Sequence, residues 1–397
     1  MTTVPTYDPF NSLSLEDPYP FYAELRRNAP VNRSVMMGSD SWVITKYDDV
    51  TACLRNYEAF SSQALALDDV EAPKSLLMSD PPLHTKLRRL VSKPFQPSAL
   101  AAMEPWIRDV TNNLVDEMIE SNKAGDADLV RDISYPLPMI VIARMLGIPP
   151  ERREDFRRWS DQAMLSPMAP MSSAASGRPS TDMLINGVGG EMNAFFEEVV
   201  RDRQRNPGED LISMLVTGKE PLTSIEIRMF CVLLLIAGNE TTTNLISNAA
   251  MALFTNPDQA DVLASDLSLV PSAMEEALRY DPPVQLMFRI TKADTVVRGQ
   301  EIPAGSFTLL LFGSANRDED KYPDPDRFDV RRDPKDHVSF GAGIHLCLGA
   351  ALSRLESKVV WETLLERTRN MRATGPGVRT NNALLRGMKS LPITFDA

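Results

Sequence analysis

Cys347 stands in the run Phe340-Gly341-Ala342-Gly343-Ile344-His345-Leu346-Cys347-Leu348-Gly349, a glycine-rich loop that feeds the helical pattern Ala350-Ala351-Leu352-Ser353-Arg354-Leu355-Glu356. A sulfur just ahead of a helix meets unpaired backbone N–H groups and the positive end of the helix dipole, and both favour a thiolate. Gly341, Gly343 and Gly349 let the backbone approach something bulky, while Phe340 can screen the sulfur from water. The chemistry on offer is metal ligation through anionic sulfur. The bland alternative is an inert buried thiol.

A second constellation sits in Ala237-Gly238-Asn239-Glu240-Thr241-Thr242-Thr243-Asn244. The capping-box pattern Thr223-Ser224-Ile225-Glu226 predicts a helix that runs until Asn256-Pro257, about 33 residues or roughly 50 Å at about 1.5 Å each. Its first half, Met229 to Ile236, is apolar all round and therefore belongs inside the protein. A glycine, an acid and three threonines in mid-helix run against helix propensity, which marks the place as functional. Ala237 and Thr241 share a face, and Gly238 beside them removes a side chain, so a groove for a small molecule is expected there.

Basic residues supply a third set. In Asp80-Pro81-Pro82-Leu83-His84-Thr85-Lys86-Leu87-Arg88 the proline pair starts a helix that puts His84 and Arg88 on one face, a geometry suited to an anion. Glu276 and Arg279 stand at i and i+3 ahead of Asp281-Pro282-Pro283, and the braced turn Tyr322-Pro323-Asp324-Pro325-Asp326-Arg327-Phe328 carries another arginine.

Taken together, the cysteine loop, the Glu240-Thr241 pair and the Asp-Pro-Pro-Leu-His helix start resemble the cytochrome P-450 family of haem-thiolate monooxygenases, over almost the whole chain. The resemblance implies haem b with Cys347 as the axial thiolate, which favours O–O cleavage, and O2 as co-substrate. It implies that His84, Arg88, Arg289 and His345 hold the haem propionates and that Ala237, Phe340 and Gly349 lie against the haem. Glu240 is expected to relay protons and Thr241 to give a hydrogen bond to the oxygen being activated. Glu276, Arg279 and Arg327 are expected to form a buried ion-pair triad that locks the segment before the cysteine. Substrate contacts are expected from Leu77, Met78, Leu234, Val284, Leu286, Met287, Leu384 and Leu385; such apolar, methionine-bearing walls suit a terpenoid, steroid or fatty-acid-like molecule. The biased stretch Ser166–Ser180 is expected to cover the substrate channel. Two other readings stay open: a peroxide-driven peroxygenase, which has less use for a proton-delivery pair, and a non-catalytic haem sensor or carrier.

The elements that must position these residues are mostly helical, with apolar spacing around Phe95–Asn122, Met192–Arg205 and Leu348–Arg369. Strand patterns are few: Trp42–Thr45, and Thr295–Gln300 followed by Ser306–Leu311, which reads as a hairpin pair. The expected fold is mainly α with a minor β region, cytochrome P-450-like, in a single domain over residues 1–397. Acidic residues outnumber basic ones by 54 to 42, which argues against nucleic acid as the main partner. Three widely spaced cysteines and three histidines make neither a disulfide framework nor a four-ligand zinc site. With no secretory pattern at the start and no run of about 18 apolar residues, a soluble, cytoplasmic, monomeric protein without a membrane partner is expected. No Gly-x-Gly-x-x-Gly follows a strand, so electrons must come from a separate protein. Lys86, Arg88, Arg89 and Lys93, with no acid among them in sequence, suggest a dock for an acidic ferredoxin.

Overall fold

The computed structural model describes residues 7–36, 39–63, 75–152, 154–156, 158–159 and 190–397; the expected cover over Ser166–Ser180 lies outside them. Seven helices position the site: α1 Leu83–Val91, α2 Pro97–Lys123, α3 Pro136–Met145, α4 Gly190–Arg205, α5 Ser224–Thr255, α6 Val270–Tyr280 and α7 Ala350–Arg367. The capping box at Thr223 forms as expected. Thr223 Oγ1 accepts the Glu226 N–H at 3.3 Å, and a Glu226 carboxylate oxygen accepts the Thr223 N–H at 2.8 Å. Pro257 begins the next helix and so ends α5 after 32 residues.

Helix α5 is the axis of the molecule, packed by α3, α4, α6 and α7. By length and composition it is long and apolar enough to cross a membrane, but more than half of that apolar stretch is buried inside the protein. Its residues join one large apolar cluster that runs from Leu87 to Phe395. Gly238 has a different use from the expected one. A Cβ there would lie 2.9 Å from Ile142 Cδ1, so the glycine lets α3 approach α5 and does not widen the groove beside Ala237.

The minor β region centres on a five-stranded sheet of order β1-β2-β7-β4-β3, with β1 Val31–Met36, β2 Ser39–Ile44, β3 Phe60–Ser61, β4 Leu286–Thr291 and β7 Phe307–Leu311. The hairpin forms elsewhere than the sequence suggested. Strands β5 Thr295–Val297 and β6 Gln300–Ile302 pair with each other across Arg298-Gly299, where both residues have positive φ, 48° and 76°. That two-residue turn folds the first segment back on itself. Phe307–Leu311 is then free to insert between β2, which it pairs in parallel, and β4.

Candidate active site

The cysteine loop is shaped by its glycines. Gly343 has φ +70° and packs on the backbone of the helix Tyr47–Arg55, where a Cβ would fall 2.7 Å from the Leu54 carbonyl oxygen. The Cys347 N–H closes the loop by donating to Phe340 O at 2.9 Å, and α7 starts three residues later. Solvent reaches Cys347 although protein atoms crowd around it, which places the residue on the floor of a hollow. Those surroundings push its thiol up, opposed by the backbone N–H groups of Gly349 and Ala350 and by the charges of Arg88 and Arg354. The balance favours the proton unless a metal cation replaces it.

On α5, Ala237 is exposed in mid-helix while Leu234, Leu235 and Asn239 around it are buried, so its face looks into open space. Thr241 lies one turn on and donates its hydroxyl to Ala237 O at 2.8 Å. The other two threonines are structural: Thr242 Oγ1 donates to Ser353 Oγ at 3.1 Å, tying α5 to α7, and Thr243 Oγ1 donates to Ser134 O at 2.9 Å. Glu240 is half-buried beside Thr241.

The predicted anchors converge. The rings of His84 on α1 and His345 in the cysteine loop lie 4.2 Å apart. Both Nε2 atoms are buried without a hydrogen-bond partner. Burial, then the nearby His84 and Arg289, push His345 down to about 4; burial lowers Arg289 to about 10 and also lowers Arg88. Arg289 is 5% exposed, and its guanidinium donates to Phe288 O. Buried Arg289, half-buried Arg88 and the orphaned nitrogens of His84 and His345 form a cradle suited to anions, and two carboxylates would satisfy it. The residues present therefore fit a haem held by its propionates over Cys347.

The triad differs from the expected one. Arg279 makes a two-pronged contact with Glu276 at 2.7 and 2.8 Å, both side chains being fully buried. The third member is Arg332, whose Nε lies 3.2 Å from Glu276 Oε1. Arg327 contributes only its carbonyl, to Arg279 Nη2 at 3.1 Å, while its side chain is 62% exposed beside Asp329. Sequence reading also missed the preceding acid. Glu275 accepts from Arg354 Nε at 2.6 Å and Nη2 at 2.8 Å and faces His337 Nε2 at 3.2 Å. Burial opposes its charge, yet Arg354 and His337 hold it at about 2. The Arg354 guanidinium in turn lies 4.5 Å over the Phe340 ring. Adjacent helix positions point about 100° apart, so the doubled acid Glu275-Glu276 serves two loops at once.

The apolar candidates divide. Leu77 and Met78 are exposed, at 40% and 37%, and Leu234 shares the Ala237 face of α5. Val284 bridges Leu385, and both are half-buried. Met287 packs with Val284 against the cluster that includes Ala342 of the cysteine loop. Leu286 is a correction: strand alternation turns it to the other face of the sheet, where it is 1% exposed among Tyr22, Val43 and Leu309. Leu384 packs on that same cluster, away from the cysteine loop. The basic patch also changes, because Glu220 reaches it from the turn before α5, 2.8 Å from Arg89 and 3.9 Å from Lys86.

The family pattern of cytochrome P450 matches residues 10–371. The chain belongs to the cytochrome P450 family. Among its relatives are the putative cytochrome P450 YjiB of Bacillus subtilis (strain 168), 37% identical over 95% of this chain and 93% of that protein, and the cytochrome P450 monooxygenase PikC of Streptomyces venezuelae, 37% identical over 96% and 91%. The solved structure of CYP109Q5 from Chondromyces apiculatus superposes with a TM-score of 0.85 at 39% identity, covering 100% of this chain and 99% of that one. Cytochrome P450 enzymes are haem-thiolate oxidoreductases that hydroxylate with O2 and draw electrons from redox partners.

Proposed function

We propose that residues 1–397 form one monooxygenase domain that inserts one oxygen atom into a hydrophobic small molecule, with Cys347 as the haem ligand. The observation that carries the site assignment is the cradle of His84, Arg88, Arg289 and His345, whose two guanidinium groups and two orphaned imidazole nitrogens would hold a pair of carboxylates beside the cysteine. What the haem supplies when bound is the iron chemistry that activates O2 and divides its atoms between substrate and water. Cys347 would hold it through its sulfur, which the Gly349 and Ala350 N–H groups steady. Thr241 Oγ1 now gives its proton to Ala237 O; a rotation about χ1 turns the same proton toward the hollow. Glu240 then resupplies Thr241 from solvent. The pair supports turnover with O2, which draws its protons from solvent, over a peroxide route, which brings its own, or a passive carrier, which needs none.

The substrate reading rests on Leu77, Met78, Leu234, Val284, Met287 and Leu385, all apolar. Relatives bear names in keeping with it: vitamin D(3) 25-hydroxylase of Pseudonocardia autotrophica is 35% identical, and the CYP109E1 structure of Bacillus megaterium, in complex with testosterone, is 36% identical with a TM-score of 0.81. A hydrophobic small molecule of terpenoid, steroid or fatty-acid type is the class we assign. Titrating the ferric protein with such compounds tests this; haem-band shifts confined to hydrophilic ligands would refute it.

Electrons are assigned to a cytoplasmic ferredoxin docking near Lys86, Arg89 and Lys93, with Glu220 in part neutralising that patch. Arg89→Glu is expected to slow reduction by ferredoxin at low salt and to leave reduction by dithionite unchanged. Equal reduction by ferredoxin in both proteins would refute the dock.

A further inference from the structure

Asp80 carries a role that neither the family match nor the predicted anchors assign. Its carboxylate is 4% exposed and fully engaged: Oδ2 accepts from Ser61 Oγ at 2.7 Å and from Lys292 Nζ at 2.8 Å, and Oδ1 accepts the Ser62 N–H at 3.1 Å. Its backbone carbonyl accepts the His84 N–H at 3.0 Å. One residue thus ties together the start of α1, which carries His84 and Arg88, the end of β3, and the end of β4, which carries Arg289 three positions before Lys292. The preceding residue, Ser79, holds His345 through its backbone. Burial works against the charge on Asp80, yet Lys292, Ser61 and Ser62 keep its carboxyl below the ordinary value, so it is ionised at neutral pH. It is also the carboxylate whose field acts on both His84 and Arg289.

The charges of that cradle are the guanidinium groups of Arg88 and Arg289, both disfavoured by burial, and the Asp80 carboxylate favours the charge on Arg289. We propose that Asp80 is the positioning residue of the propionate cradle, a built-in counter-ion that pins its segments together and, with Lys292, sets the charge balance felt by the bound haem. The inference rests on the cradle assignment above.

Two consequences separate it from a plain structural brace. Asp80→Asn removes a negative charge near the haem and raises the ferric/ferrous reduction potential, whereas Lys292→Met removes a positive one and lowers it. A brace predicts the same sign for both. The double variant D80N/K292M strands no charge; it restores a potential near the wild-type value and remains available if D80N alone folds poorly. Ser61→Ala removes one hydrogen bond, leaves the charge and barely moves the potential. In the holoprotein, transfer of haem to excess apomyoglobin is expected to be about ten- to a hundredfold faster for D80N, the usual range for loss of an outer partner. Unchanged transfer together with an unchanged potential overturns the proposal, as does a shift of the same sign in D80N and K292M. Arg289→Ala tells the two layers apart. If it too keeps haem as tightly as wild type, the cradle assignment itself falls; if it loses haem while D80N does not, the cradle stands and the role of Asp80 falls.

Discussion

Glu356→Gln tests how dry the interior between α7 and α5 is. Glu356 is 1% exposed on α7, and among the described residues its carboxyl makes no hydrogen bond or ion pair, while Lys358 and Glu362 on the same helix reach Glu104 and Arg108 of α2. Burial alone lifts its pKa from 4.5 to about 8. Because the folded value is raised, the acid destabilises nothing below about pH 4.5, where both states are protonated. Stability is then lost as pH climbs, since the unfolded chain ionises first, and the loss levels off above pH 8. At about 1.4 kcal/mol per pH unit, the interval corresponds to about 5 kcal/mol at its upper end, a ceiling that internal relaxation lowers. The amide of Gln cannot ionise, so the variant lacks this slope. Urea midpoints of haem-loaded wild type and E356Q at pH 5, 6, 7 and 8 should therefore diverge steadily, with the variant gaining as pH rises. A difference between the two that stays constant from pH 5 to pH 8 refutes the reasoning.

Three other variants probe separate parts. Arg332→Ala should lower folded, haem-loaded yield and destabilise by about 1–2 kcal/mol, because it removes one of the partners of a buried carboxylate that keeps Arg279, while Arg327→Ala should stay within about 0.5 kcal/mol; equal effects in thermal melts contradict the revised triad. Gly343→Ala should cut haem occupancy, measured as haem absorbance per protein, since its positive φ and the unyielding Leu54 carbonyl leave no room for a methyl; full occupancy would show that the loop can shift. Thr241→Ala should bind haem and substrate normally but divert electrons to peroxide, so product formed per electron pair consumed falls; unchanged coupling removes the proposed proton role.

The cysteine loop, the capped α5 and the His84–Arg88 helix were legible because each is a local pattern: glycines at fixed offsets, a capping box, a spacing of four. What the sequence could not show was which way a side chain turns in a tertiary setting. Arg327 lies in the proline-rich turn and Arg332 just after it, and only the path of the chain decides which one reaches Glu276. Leu286 and Met287 are neighbours of similar character, so alternation put one of them on each face without saying which face meets the cysteine loop. Gly238 looked like room for a ligand and proved to be room for Ile142, a distinction carried wholly by α3. Glu220 lies far from Lys86 and Arg89 in sequence, which hid the acid in the basic patch.

Thiolate ligation of haem iron by Cys347 is read from the carbon-monoxide difference spectrum of the reduced protein. Wild type is expected to show the strongly red-shifted band of a thiolate-ligated haem and Cys347→Ser to lose it, with haem still retained through the cradle. A well-folded, haem-loaded wild type without that shift, or a Cys347→Ser variant that keeps it, would contradict the account.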